Sequence, residues 1–421
     1  MSRPDNYDPV EEERKRDGNR SIAQKIRNRL NQLANANDKD KRRWIWELLQ
    51  NARDTYQDRP VDIEINLSSD VLEFRHNGGH FSPRNVTNLV HQLSSKEGTK
   101  SIGRFGTGFL TTHTLSRLVD VEGIYSDEES LYSFSITLDR QGSTEEELIE
   151  GVENSWSSYQ KTQIKSIQDP WTKFLYKNPN QLIATLTLED FESSILYTLA
   201  FVENQIGTIK IKDAVNSKES EFTLVDKIVC TDSLFILQFL CFCGDQEDEI
   251  YLLYATDSEG IELAIEIEPV GSKYKIKPIK HNTPRLFCAF PLIGTESFSF
   301  PMVFNSVNFN PKTERDGLYL QGDSSDVDRN KEIIERGVLL YQKVLEYVSE
   351  QEWFDLYQLA ANSCPPANDD FDEDWYKKNI LGNIRESLLT IPIVESEAGN
   401  RLYISRDNKP ALWVHPSPHT G

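Results

Sequence analysis

The sequence predicts an α+β protein, and three features carry that prediction. One helix with a sharply divided face is followed at once by short alternating strands. From about residue 220 the pattern turns strand-rich, and a long amphipathic helix then occupies residues 327–350. The expected order is a flexible arm at 1–18, an α/β domain at 19–215, a β-rich α+β domain at 216–325, and a helical region with final strands at 326–421.

Length and composition agree. A chain of 421 residues with 38% hydrophobic and 10% aromatic residues can bury more than one core. The net charge of −21 speaks against nucleic acid as the main partner, because phosphates repel an acidic surface. A basic run from Arg14 to Arg29, with Lys41 to Arg43 after it, reads as a solvated helix face, with a phosphate-bearing partner as the alternative. The five cysteines form no CxxC pair, and no stretch nears the roughly 20 apolar residues of a membrane span. Alternation in the run 233–243 places Cys241 and Cys243 on one strand face as buried thiols. A cytoplasmic setting is expected, with no membrane association.

Residues 38–57 form the best-patterned segment. Asp38 or Asp40 serves as N-cap, and the helix stops before Pro60. At about 100° per residue, Ile45, Leu48, Leu49, Ala52 and Tyr56 line an apolar face, while Glu47, Asn51 and Asp54 fall nearly opposite. Strands follow at 61–67 and 71–74, then a turn at Asn77-Gly78-Gly79. Ser82 and Pro83 start a helix running to Leu93.

Next comes a glycine-punctuated loop, Ser94 to Phe109, entering a short helix at 110–115. Strands are expected at 118–125, 131–138 and 182–188, with a helical insertion at 145–178. The second region should hold strands at 222–229, 234–243, 249–255, 262–267 and 274–279, and a last helix at 374–389. The ending WVHPSPHTG does not read as a domain finish, so a continuation past residue 421 is expected.

A triphosphate site needs backbone N–H groups aimed at phosphate oxygens, a ligand for Mg²⁺, and a group that orients water. Gly103, Gly106 and Gly108 stand where absent side chains let the backbone approach an anion. Asn51 can offer Mg²⁺ a neutral oxygen, and a carboxylate one turn earlier can hold water.

Taken together, ELLQNARD (Glu47 to Asp54), FRHNGGHF (Phe74 to Phe81) and GRFGTGF (Gly103 to Phe109) resemble the three motifs of the GHKL superfamily. That superfamily joins gyrase, the Hsp90 chaperones, histidine kinases and the MutL repair ATPases. The combination HNG, SSK and IGRFGTGF is most similar to the sacsin-like branch, and the motifs cover residues 44–112.

The resemblance implies a Bergerat-type sandwich at 19–215 and a transducer-like domain after it. It also implies ATP and Mg²⁺ as cofactors and a slow ATPase driven by conformational change. Glu47 would orient water, Asn51 would bind Mg²⁺, and Asp54 would lie near the ribose or support Asn51. Lys96 would reach the phosphates. Gly103, Arg104, Phe105, Gly106, Thr107, Gly108 and Phe109 would wrap them.

His76, with Asn77 and Gly78, takes the base position, where the family usually has an Asp; His80 replaces a glycine. A neutral imidazole can accept one hydrogen bond. Arg315, in Asn310 to Gly317, would act as a basic residue supplied by the following domain. Protein clients, partner subunits or a homodimer are the implied partners, with a chaperone-like or bacterial defence role. A nucleotide-sensing scaffold without turnover and a DNA-linked ATPase of the gyrase or MutL type are the alternatives.

Overall fold

The structure is a computed structural model that describes residues 9–91, 108–127, 130–202, 204–396, 401–406 and 409–410. It is a mixed α+β protein with extensive mixed β-sheet. The chain divides into two compact units. The first comprises residues 1–195, 202–224 and 240–248; the second comprises 196–201, 225–239 and 249–421.

In the first unit, α1 (Pro9–Ala34) replaces the latter half of the expected arm with helix. Ala23, Ile26, Leu30 and Leu33 recur at helical spacing and are buried, and α1 packs against α5 (Glu145–Ser158). The expected helix at 38–57 is two pieces: α2 (Asp38–Lys41), capped by the Asn37 side chain and not by an Asp, and α3 (Trp44–Arg53). Ile45, Leu48, Leu49 and Ala52 of α3 are buried as the periodicity requires, while Tyr56 lies past the helix end and is exposed.

Strands β1 (Val61–Leu67) and β2 (Val71–His76) alternate strictly between buried and half-buried positions and pair antiparallel. Then come α4 (Pro83–His91), a 3₁₀ turn at Gly108–Thr114, β3 (Leu118–Asp127), β4 (Ser130–Asp139), β5 (Gln160–Ile164) and β6 (Thr172–Lys177). The strand order is β7-β1-β2-β6-β3-β4-β5, where β7 is Ile206–Asp213 and runs parallel to β1.

Two local expectations fail here. The span 145–178 is a helix only as far as Ser158, where α5 is opened by a capping box between Thr144 and Glu147; the rest supplies β5 and β6. The run at 182–188 is not a strand but part of α6 (Gln181–Glu192). Asn180 caps it, and Thr187 sits inside it, bonding back to the Ile183 carbonyl and accepting from Trp44 Nε1 at 3.0 Å. Tertiary contacts override the β-branched composition.

The second unit contains α7 (Ile195–Phe201, assigned from Leu196) and parts of β8 (Lys218–Val229), β9 (Leu234–Cys243) and β10 (Gln246–Thr256). It continues with β11 (Ile261–Val270), β12 (Lys273–Ile276), β13 (Leu286–Cys288), β14 (Phe290–Pro291) and β15 (Val303–Ser306). Strand β11 pairs antiparallel with β10, β12 and β15. Helix α8 (Ser325–Glu350) packs on β11. The expected helix at 374–389 begins as α9 (Glu373–Trp375), passes through one π-helical stretch at Tyr376–Leu381, and ends as α10 (Gly382–Thr390). Cys241 is buried, but Cys243, at the strand end, is exposed. No helix among the described residues is long and apolar enough to cross a membrane.

Candidate functional site

Helix α3 and the 3₁₀ turn meet at Glu47. A Cβ added to Gly108 would lie 2.0 Å from Glu47 Oε2 and 2.8 Å from its Cδ, so the carboxylate lies directly against that glycine's backbone. Only glycine leaves room for the approach. The Glu47 side chain is 16% exposed, and its Oε1 is 3.6 Å from Nη2 of Arg43, one turn earlier on the same face. Arg43 is itself buried. The pair limits the directions in which the carboxylate can point.

Asn51 follows one turn later and is half-buried, and its carboxamide has no hydrogen-bond partner among the described residues. Asp54 is the residue that ends α3, 3.8 Å from Nη1 of Arg53.

The second motif is reached through aromatic rings. His76, at the end of β2, is 3% exposed and stacks on Phe174 of β6, with centroids 6.4 Å apart at 23°. Phe109 meets the same Phe174 at 5.6 Å and lies edge-on to His113 at 6.0 Å. Glu47 thus lies against Gly108, and Phe109 and His76 are linked through Phe174, which lies between them. Thr172, buried directly across the β2–β6 pair from His76, belongs to the same neighbourhood.

The turn after His76 is held by contacts of its own. The Asn77 side chain is committed to Asp62: its Nδ2 donates to Asp62 Oδ2 at 2.8 Å, and its Oδ1 accepts from the Asp62 N–H at 2.8 Å. A Cβ on Gly78 would fall 1.8 Å from Thr55 Oγ1, so that glycine makes room for the chain leaving α3. Both residues build the turn.

His76 is already engaged on one side of its ring. Its Nδ1 already accepts the Gly78 N–H at 3.3 Å, so the neutral ring carries its proton on Nε2 and offers a donor there. Burial lowers its pKa to about 4; His80 is shifted down by partial burial. Lys96, Gly103, Arg104, Phe105, Gly106 and Thr107 lie outside the described residues. Arg315 is in the second unit, in a left-handed backbone conformation (φ 52°), and its Nη2 donates to the Cys288 carbonyl at 3.1 Å.

No group of three or more His, Cys, Asp or Glu side chains that could hold a metal occurs among the described residues. The Asn51 carboxamide presents a neutral oxygen of the kind hard cations accept as a ligand. No protein-family model matches the chain, and no curated protein matches it either.

The buried histidines make stability sensitive to acid. His113 is held lower still, at about 3, first by burial and then by the charge of Arg140. Both values lie below the ordinary 6.5, so the unfolded chain takes up protons that the native state refuses. Stability is complete above about pH 6.5 and declines as pH falls towards 4, by about 1.4 kcal/mol per pH unit for each histidine. Urea titrations between about pH 7 and pH 5 should show this slope, and replacing His76 and His113 by Gln should flatten it. An unchanged slope in that double variant would reject the assignment.

Proposed function

We propose that the first unit is an ATP–Mg²⁺ site of the Hsp90-like GHKL kind, most similar to the sacsin-like branch, in a conformationally driven ATPase. One observation carries this reading: the Glu47 carboxylate rests against the Gly108 backbone, which joins the polar face of α3 to the end of the glycine-rich loop. A helix carboxylate beside peptide groups that can face phosphate oxygens is suited to hold water for in-line attack on a terminal phosphate.

Glu47 orients the water and accepts its proton, and Arg43 restrains the carboxylate. Asn51, half-buried and without a side-chain hydrogen bond among the described residues, would hold the cation, which would supply neutralisation of phosphate charge. Arg315 is the candidate for a guanidinium acting on the transferred group, and this role requires it to leave the Cys288 carbonyl. Calorimetry with Mg²⁺-ATP, run beside a phosphate-release assay, tests the proposal; absence of binding would reject it.

The second reading, a sensor that binds without turnover, is favoured by His76. A donor at the base position opposes the 6-amino group of adenine, itself a donor, and matches the 6-carbonyl of hypoxanthine. One hydrogen bond gained and one clash removed are worth about 1–3 kcal/mol. Inosine triphosphate should therefore bind on the order of tenfold or more tighter than ATP, and His76→Asp should reverse the order. Tighter binding of ATP by the parent protein would contradict the donor assignment.

A further inference from the structure

A cleft with a volume of about 530 Å³ lies in the first unit, and none of the chemistry above uses it. Its apolar lining comes from Leu30, Leu33 and Ala34 at the end of α1, together with Leu115 and Ile183. Its polar side carries three cations in a chain of net charge −21: Lys41, Arg117 and Lys177.

These cations are not equivalent. Lys177 is paired with Asp120 at 2.6 Å, and Lys41 has interactions of its own. The Arg117 guanidinium has no hydrogen-bond or ion-pair partner among the described residues, although the residue is half-buried. Burial pushes its pKa down, as expected of a cation that loses water without gaining a counter-ion. Unpaired, partly buried charges are costly and rare. The cleft also borders His113, 3% exposed, whose Nδ1 lies 3.1 Å from the Ser116 carbonyl and whose Nε2 has no partner among the described residues. A donating hydroxyl or water would satisfy that nitrogen.

A volume within the usual ligand range, an apolar wall and a guanidinium lacking an anion among the described residues together describe a binding site. We propose that this cleft binds a small amphiphilic anion: an apolar body carrying one carboxylate or phosphate head, with the head on Arg117. A guanidinium takes either head in a bidentate fashion, and the apolar wall takes the chain. The site borders the 3₁₀ turn at its His113 end, the same turn whose first residue, Gly108, touches Glu47. Occupancy would therefore stiffen an element shared with the candidate catalytic site. The binding itself does not depend on the ATPase reading.

The test uses the full chain without nucleotide, titrated calorimetrically with octyl phosphate, octanoate and octanol below micelle-forming concentrations. Binding of either anion, at least tenfold tighter than octanol, is expected. Which anion binds tighter distinguishes a phosphate-bearing source from a fatty-acid-like one. Arg117→Gln should weaken that binding tenfold or more, and Arg117→Lys should recover part of it, with all three proteins showing the same circular dichroism and melting temperature. Equal binding of octanol, absence of binding, or unchanged affinity in Arg117→Gln would overturn the proposal. Displacement of the probe by ATP without dependence on Arg117 would do the same.

Discussion

Glu47→Gln should bind Mg²⁺-ATP close to parental affinity while phosphate release falls by about 10²–10⁴-fold, the range set by loss of a general base. The glutamine keeps the shape that fits against Gly108 and can still face Arg43, so packing changes little. It cannot accept a proton from water. The expected signature is a loss confined to turnover, and that separates a chemical role from a structural one. Calorimetry gives the first quantity and single-turnover phosphate release the second. Parental turnover in Glu47→Gln would end the assignment of a base at this position, and the sensor reading would then gain ground.

Gly337→Ala should destabilise the protein by about 2 kcal/mol, despite replacing glycine by the best helix former in the middle of α8. Intrinsic propensity favours alanine by about 1 kcal/mol. Packing opposes it more strongly, because the new Cβ would lie 1.9 Å from Phe304 Cε2 and 2.4 Å from its Cζ. Phe304 cannot move freely. It is fully buried, with Phe300 edge-on at 5.3 Å and Phe309 at 5.4 Å. Overpacking of a tight core costs about 1–3 kcal/mol, and more where neighbours are pinned. Urea titration of the full chain measures the difference; a variant as stable as the parent would show that Phe304 has room the structure does not display.

Local periodicity carried the sequence reading furthest where each element obeys its own rule. The buried face of α3, the alternation of β1 and β2, the Pro83 start of α4 and the long α8 all follow from spacing within one segment. Expectation failed where a segment answers to distant partners. Leu182 to Leu188 reads as a strand until Thr187 is seen bonded to Trp44, and the insertion after Ser158 becomes β5 and β6 because β4 and β3 offer edges to pair with. Arg43 could have been found from its four-residue spacing to Glu47. Thr172 and Phe174 could not, since about a hundred residues separate them from His76.

By itself, then, the order of residues determined the chemical inventory: a carboxylate and an amide one turn apart, a histidine before a glycine turn, and glycines near a helix start. Only the tertiary structure decided which of these meet and in what state. It set the Glu47 carboxylate against Gly108, committed Asn77 to Asp62, and engaged His76 Nδ1 with the Gly78 N–H. The reason is physical. Periodicity acts within a few residues, whereas proximity and desolvation, which fix protonation and hydrogen-bond role, depend on which segments the fold brings together.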